Sequence, residues 1–156
     1  MNTRPTIHLA TDHAGFERKN EVKEWLETRG YTVVDHGALH LDPLDDFPDF
    51  ISMAAAAVSK EPNISRAIIF GGSGQGEAMV ANRYPHVRAT VYYGGDESII
   101  QLSRQHNDAN VLSIGARFVD TATTVRVVEL WLNEVSLTGE KYERRNKKIE
   151  RITKTI

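Results

Sequence analysis

Four stretches of this chain combine residue types that can do chemistry. The first is Gly71-Gly72-Ser73-Gly74-Gln75-Gly76-Glu77, directly after the apolar run 66–70. Glycines let a backbone approach an anion closely, and the N–H groups that open a helix favour negative charge. A hydroxyl at Ser73 can donate to an oxyanion. Glu77 falls in the first turn of the helix that follows. The loop lacks the Gly-Lys-Ser/Thr of a nucleotide-binding P-loop. Its G-x-G-x-G spacing follows the third strand rather than the first, so it is not the dinucleotide fingerprint. Two plainer readings stand beside this one: a flexible strand–helix turn, and an ordinary acidic residue favoured by the helix dipole at Glu77. Four glycines in six residues speak against the first.

The second stretch is Thr11-Asp12-His13, at the end of the first apolar run. An Asp beside a His can contact a sugar or phosphate, and Asp12 reads equally well as a helix N-cap. The third is Ser103-Arg104-Gln105-His106-Asn107-Asp108, closing a helical pattern. His106 there is either a histidine stabilised by the helix C-terminus or an acid–base group titrating near neutrality. The fourth is Arg117, just past Gly115. Six histidines raise a metal reading, yet His36 and His40 flank Gly37 in a loop and no H-E-x-x-H occurs. No metal site is expected. An acceptor Asp at the end of the third strand, as a response regulator needs, is also missing, because Gly71 stands there.

These residues need a scaffold. Apolar runs at 7–10, 31–35, 66–70, 88–92 and 111–114 read as strands. Helical patterns fill the stretches from 16 to about 29 and at 50–59, 77–83, 97–106 and 121–135. Gly30 sits where a helix C-cap glycine belongs. The connection 36–48 is long for a loop, and long loops are often functional. Alternating β and α predicts a doubly wound, Rossmann-like five-stranded parallel sheet with helices on both faces. Ligands in such folds bind beyond the carboxyl ends of the strands, where the strand order switches. The charged segment 140–156 reads as a C-terminal helical tail. Its apolar stripe, Ile149, Ile152 and Ile156, suits either a partner subunit or its own core.

The 156 residues fit one domain, 1–156, with no repeat or linker. Lys and Arg number 19 against 21 Asp and Glu, a formal charge of −2. No overall basic footprint for nucleic acid exists. There is no cysteine, which excludes a disulfide scaffold, a thiolate metal site and a cysteine base. No apolar run is long enough to span a membrane and the first residues carry no secretory signal, so a cytoplasmic protein is expected.

Taken together, A-T-D-H-A-G-F (10–16), G-G-S-G-Q-G-E-A-M-V-A-N-R (71–83), S-R-Q-H-N-D-A-N-V-L-S-I-G-A-R (103–117) and W-L (131–132) resemble the ribose-5-phosphate isomerase B family, which includes the galactose-6-phosphate isomerase subunits. The tail G-E-K-Y-E-R-R-N-K-K-I (139–149) is a looser match, and the resemblance covers essentially the whole chain. It implies a homodimer with active sites between subunits and aldose–ketose isomerisation of a sugar phosphate without a cofactor. Asp12 and His13 match substrate contacts. Gly72, Ser73, Gly74, Gln75 and Gly76 match the loop that holds the enediolate oxygen. His106 matches the group that opens the furanose ring, which Asp12 would assist. Asn107 matches a substrate contact and Arg117 a phosphate ligand. Lys141 and Arg145 match a pair of phosphate-binding arginines lent by the neighbouring subunit.

Two departures bear on the chemistry. Many members of the family use a Cys base just before the glycine loop, where this chain has Gly71. A second branch places a Glu after the loop, and Glu77 stands there. The tail reads Lys141-Tyr142 where the family usually has Arg-His, and Lys binds phosphate as a point charge, not a planar fork. The expected activity is interconversion of ribose 5-phosphate and ribulose 5-phosphate, with Glu77 moving a proton between C2 and C1 and Ser73 stabilising the oxyanion. An isomerase of allose or galactose 6-phosphate keeps the same chemistry with a changed pocket. A non-catalytic sugar-phosphate sensor is the reading from another class.

Overall fold

The strand β3 (Ser65–Gly71) sends Ile68 and Phe70 to one face of a sheet and Ala67 and Ile69 to the other, all of them buried. A strand covered on both faces reads as a continuous apolar run. In the computed structural model, which describes residues 4–153, β3 is the central strand of five. The others are β1 (Thr6–Thr11), β2 (Val33–Asp35), β4 (Ala89–Tyr92) and β5 (Val111–Gly115). The order is β2-β1-β3-β5-β4 and every pairing is parallel. The expected doubly wound sheet is therefore present. From β1 the chain runs outward to β2, and from β3 it runs the opposite way to β4, so the crevice lies between β1 and β3.

Helices α1 (Phe16–Thr28), α4 (Ser98–Asn107) and α5 (Thr121–Asn133) cover one face, through Val22, Leu26, Ile100, Val127 and Trp131. Helices α2 (Phe47–Lys60) and α3 (Gln75–Ala81) cover the other, through Ile51, Ala54, Val58 and Ala81. Each fully buried large side chain contributes roughly 1.5–3 kcal/mol. No helix among the described residues is long and apolar enough to cross a membrane.

Several boundaries differ from expectation, each for a local reason. β2 begins at Val33, not Tyr31, because the Tyr31 N–H still closes α1 on the Leu26 carbonyl, with Gly30 at φ +77°. α2 begins at Phe47, before the expected start. Pro48 falls in its first turn, where a missing N–H costs nothing. α3 opens earlier, at Gln75, behind the left-handed Gly74. α4 is shifted by one residue, and α5 ends at Asn133, two residues short.

The tail forms α6 (Glu140–Thr153), and it docks on its own chain. The Tyr142 ring stacks on His106 at 4.7 Å, Asn146 Nδ2 donates to the His106 carbonyl, and Glu150 pairs with Arg88 and His86. Tyr142, Asn146 and Glu150 are spaced by four, so a polar stripe makes these contacts. Ile149 and Ile152 of the expected apolar stripe face outward, and Ile156 lies outside the described residues.

The long connection is held at its start by a buried cation. Lys19 of α1 is fully buried, and its Nζ donates to Asp35 Oδ1 at 2.7 Å and to the Ala38 carbonyl at 2.8 Å. The Gly37 N–H donates to the same Asp35 oxygen. Thr11 exchanges backbone hydrogen bonds with Gly37 and Ala38, so the loop lies against the end of β1. Stripping such a pair of one partner typically costs about 3–5 kcal/mol.

A half-buried histidine pair should make stability pH-dependent. His8 Nδ1 and His36 Nε2 are 2.9 Å apart, a contact that needs one ring nitrogen free of its proton. Burial lowers the pKa of both, and for His8 the neighbouring His36 charge adds to it. Below the ordinary value of 6.5 the unfolded chain therefore binds more protons than the folded one. The melting temperature should fall as pH drops from about 6.5 to 5, with a slope of up to about 1.4 kcal/mol per pH unit for each histidine. Thermal melts of His36→Gln over the same range should show a shallower slope. An equal slope would remove this pair as the cause.

Candidate active site

The carboxyl ends of β1, β3 and β5 meet at Thr11, Phe70, Gly71 and Gly115. Glu77, in the first turn of α3, reaches back over Gly71 and is 4% exposed. A Cβ built on Gly71 would stand 1.9 Å from Glu77 Oε1. The carboxylate therefore occupies the volume that any side chain at 71 would need. Burial raises the Glu77 pKa, its own backbone N–H opposes this, and the Asp12 charge adds to the rise.

The loop that carries Glu77 is tightly built. Gly74 has φ +79°, and its carbonyl accepts from the buried Ser113 hydroxyl at 2.6 Å. Ala116 and Arg117 donate their N–H groups to the Gly71 and Gly72 carbonyls, tying the loop after β5 to the glycine loop. A Cβ at Gly76 would meet the Phe47 ring at 2.8 Å. Ser73 is half-buried, and its Oγ accepts from the Gln75 N–H at 3.4 Å. The exposed Arg117 guanidinium lies over Gly72, 3.1 Å from where a Cβ would stand.

Asp12 and His13 follow β1 into the same space. Asp12 caps the one-turn 3-10 helix His13–Gly15, with Oδ1 accepting from the Ala14 N–H. The capping reading holds for that oxygen, while Oδ2 stands 3.9 Å from His13 Nδ1. His13 Nδ1 is 2.7 Å from Asp45 Oδ1, which also accepts the His13 N–H at 3.0 Å. The Asp45 hydrogen bond raises the His13 pKa, Asp12 adds to this, and burial and Arg117 oppose it. Asp12, His13 and Asp45 each present a metal-ligand type of atom within 4.8 Å of one another. The close His13–Asp45 contact already joins two of them.

The remaining expected residues stand elsewhere in the chain. His106 and Asn107 end α4, which returns to the amino edge of the sheet. There Arg88 Nε donates to the Asn107 carbonyl at 2.9 Å. The strand β5 spans about 13 Å between the two edges, at about 3.3 Å per residue. Lys141 and Arg145 are exposed on α6 beside His106, with Lys141 Nζ over the Tyr142 ring. A neighbouring face of α6 carries Arg144, Lys147, Lys148 and Arg151. One chain thus brings together Asp12, His13, the glycine loop, Glu77 and Arg117. It places His106, Asn107, Lys141 and Arg145 at its opposite edge.

Sequence reading missed two residues. Asp45 lies in the long connection, and nothing in its D-D-F-P context marks it as the partner of His13. Lys19 carried a usable signal: it lies three residues before Val22 and seven before Leu26, so its charge falls on the buried stripe of α1.

Comparison with known proteins places this site in a family. The family model described as Ribose/Galactose Isomerase matches residues 7–150. A probable ribose-5-phosphate isomerase B of Mycoplasma pneumoniae is 36% identical over 149 residues, covering 96% of this chain and 95% of that protein. The ribose-5-phosphate isomerase B of Escherichia coli is 35% identical over 149 residues, covering 94% and 93%. The crystal structure of ribose-5-phosphate isomerase B from Mycoplasma genitalium with bound ribulose-5-phosphate superposes with a TM-score of 0.92 at 34% identity, covering 97% of each chain. With the family matched across nearly its whole length and the sheet superposing so closely, this chain belongs to the ribose/galactose isomerase family.

Proposed function

We propose that residues 1–156 act as one domain that interconverts ribose 5-phosphate and ribulose 5-phosphate. The observation that carries this reading is the buried Glu77 carboxylate above Gly71, beside the glycine loop. Moving a carbonyl between adjacent carbons requires a base that takes a proton from C2 and returns it to C1. Burial weakens Glu77 as an acid, so its conjugate base is stronger than that of a surface carboxylate. As the C2 proton leaves, the C–H pair forms the C1–C2 double bond and the C1 carbonyl oxygen becomes an enediolate oxygen. Of the N–H groups opening α3, those of Gln75 and Glu77 already meet Ser73 Oγ and the Glu77 carboxylate, so the Gly76 N–H and the Ser73 hydroxyl are the donors offered to that charge. Return of the proton from Glu77 to C1, with transfer of the O2 proton to O1, completes the ketose. Arg117 and His13, both cationic when protonated, suit the phosphate or a ring oxygen. Phosphate binding remote from C1 and C2 supplies orientation. The steps use only these side chains, so no cofactor is assigned and turnover should persist in EDTA. A cytoplasmic location suits this substrate.

We further infer a homodimer in which each site takes one edge from each chain. The separation of His106, Asn107, Lys141 and Arg145 from Glu77 supports it. In a two-fold dimer one patch meets the other reciprocally, so the carboxyl edge of one chain can face the amino edge of its partner. Leu39, Leu41 and Leu44, exposed in the connection beside the site, are suited to cover by a second chain. His106 would then move a proton on the furanose ring oxygen from across the interface.

Four results would test these readings. Glu77→Gln should fold normally and lose about 10²–10⁴-fold in kcat for ribose 5-phosphate. Retention of more than a few percent would remove Glu77 as the base. Wild-type turnover of allose or galactose 6-phosphate in preference to the pentose would replace the substrate and keep the chemistry. Gly71→Ala should displace the carboxylate and lower kcat by about 10²-fold, with Gly71→Ser no better. Co-expressed Glu77→Gln and His106→Gln chains, purified as mixed dimers, should regain about half of wild-type turnover, because one of the two sites is intact. Mixed dimers as inactive as either parent would refute a site shared between chains.

A further inference from the structure

The connection between β2 and α2 ends at Asp45, a residue that no part of the reaction described above uses. Its side chain is 8% exposed. Its Oδ1 accepts two hydrogen bonds, and both come from His13: the backbone N–H at 3.0 Å and the ring Nδ1 at 2.7 Å. Its Oδ2 is buried and has no partner among the described residues. A buried carboxylate is tolerated when donors compensate its charge. Here every side-chain donor to Asp45 belongs to one histidine, so the two residues form a unit.

We propose that Asp45 is the positioning residue for His13, fixing the ring's tautomer and orientation so that Nε2 is the nitrogen offered to the sugar phosphate. The inference rests on the isomerase reading for its substrate, and on the His13–Asp45 geometry alone for the rest. With Nδ1–H committed to Asp45, the ring cannot rotate without stranding a buried carboxylate. The backbone bond from the same oxygen sets the carboxylate against the start of the 3-10 helix. Asp45 is itself held by its place in the fold. Its N–H donates to the Asp42 carbonyl, and the Leu44 N–H caps on the Asp42 side chain. Two residues later α2 begins, and α2 is anchored on the sheet through Ile51 and Ala54. At the other end, Lys19 holds the connection at the Ala38 carbonyl, and Thr11 pairs with it through the Gly37 carbonyl and the Ala38 N–H. The connection is thus a strut between two anchored elements, with its one buried acid set against the residue after Asp12.

The groups facing His13 are Asp12 from the end of β1, Asp45 from the connection, and Arg117 from the loop after β5. The two carboxylates favour the imidazolium and the guanidinium opposes it. Removing the Asp45 charge therefore leaves Asp12 alone against burial and Arg117, and His13 should lose its proton at a lower pH.

The test uses two variants and a readout independent of turnover. Asp45→Asn keeps an acceptor oxygen for both His13 donors but loses the charge. Asp45→Ala loses both. Ring-nitrogen NMR of the full-length protein should report Nδ1–H as the neutral tautomer of wild-type His13. Asp45→Asn should retain that tautomer with a lower titration midpoint. Asp45→Ala should shift the ring toward Nε2–H. With ribose 5-phosphate, Asp45→Ala should raise KM by about tenfold or more while kcat falls less, because His13 binds rather than moves the C2 proton. Asp45→Glu should not restore it, since the longer arm misplaces the oxygen. An unchanged His13 midpoint and tautomer in both variants would overturn the proposal, whatever the kinetics. If wild-type protein fails to turn over the pentose phosphate, the substrate reading fails, and the NMR comparison still decides the role of Asp45.

Discussion

A carboxylate and a backbone compete for one small volume at the carboxyl edge of the central strand, and the surrounding structure is arranged around that competition. Glu77 occupies the space a side chain on residue 71 would fill. This requires Gly71, and it requires α3 to start close enough for its first turn to fold back over the strand end. Gly74 provides that start by adopting a left-handed conformation while its carbonyl takes the Ser113 hydroxyl. Gly76 lets Phe47 of α2 approach. The loop after β5 then closes the far side, through two backbone hydrogen bonds to Gly71 and Gly72. The glycines are thus consequences of close approach at identifiable atoms. A side chain at position 71 and a buried Glu at 77 therefore exclude each other: the two groups would stand in the same place.

The same constraint shapes the electrostatics. Glu77 is buried by the sheet end and its own helix, and no cation pairs with it among the described residues. Arg117 lies over Gly72 instead. The charged form of Glu77 is therefore disfavoured, in keeping with the proposed role of proton acceptor and donor. On the other side of β1, the Lys19–Asp35 pair follows the opposite rule. There a buried acid meets a buried base, and the result is a rigid anchor for the loop that delivers Asp45.

Much of this was legible in the amino-acid sequence, and the remainder has physical reasons for being hidden. The alternation of five apolar runs with helical patterns predicts the doubly wound sheet, because each strand buried on both faces is a continuous apolar run. Gly71 to Glu77 and Asp12-His13 mark the site because their residue types are unusual for a plain turn. Strand and helix ends were displaced where backbone bonds, not composition, decide them, as with the Tyr31 N–H held by α1. The helix of the tail was legible, but its contacts were not, for a different reason. Its isoleucines form an apolar stripe at helical spacing, yet Tyr142, Asn146 and Glu150 make the observed contacts, through stacking, an amide and an ion pair. Hydrophobic periodicity carries no information about such a polar stripe. Asp45 was illegible because its function depends on tertiary proximity to His13, thirty-two residues earlier.

Asp12 connects these two perturbed groups. Its charge raises the pKa of Glu77 and of His13, although one is an acid and the other a base. The outcomes are complementary. A raised carboxyl pKa strengthens Glu77 as a proton acceptor, and a raised imidazole pKa keeps His13 cationic toward higher pH. One carboxylate thus acts on both groups, in the sense that the proposed proton transfer at Glu77 and anion binding at His13 require. Asp12 can do this because its Oδ1 is spent on the Ala14 N–H, which fixes the side chain while Oδ2 faces the site. The capping bond and the approach to His13 are made by different oxygens of the same carboxylate, so the structural role of Asp12 sets the geometry of the chemical one proposed for it.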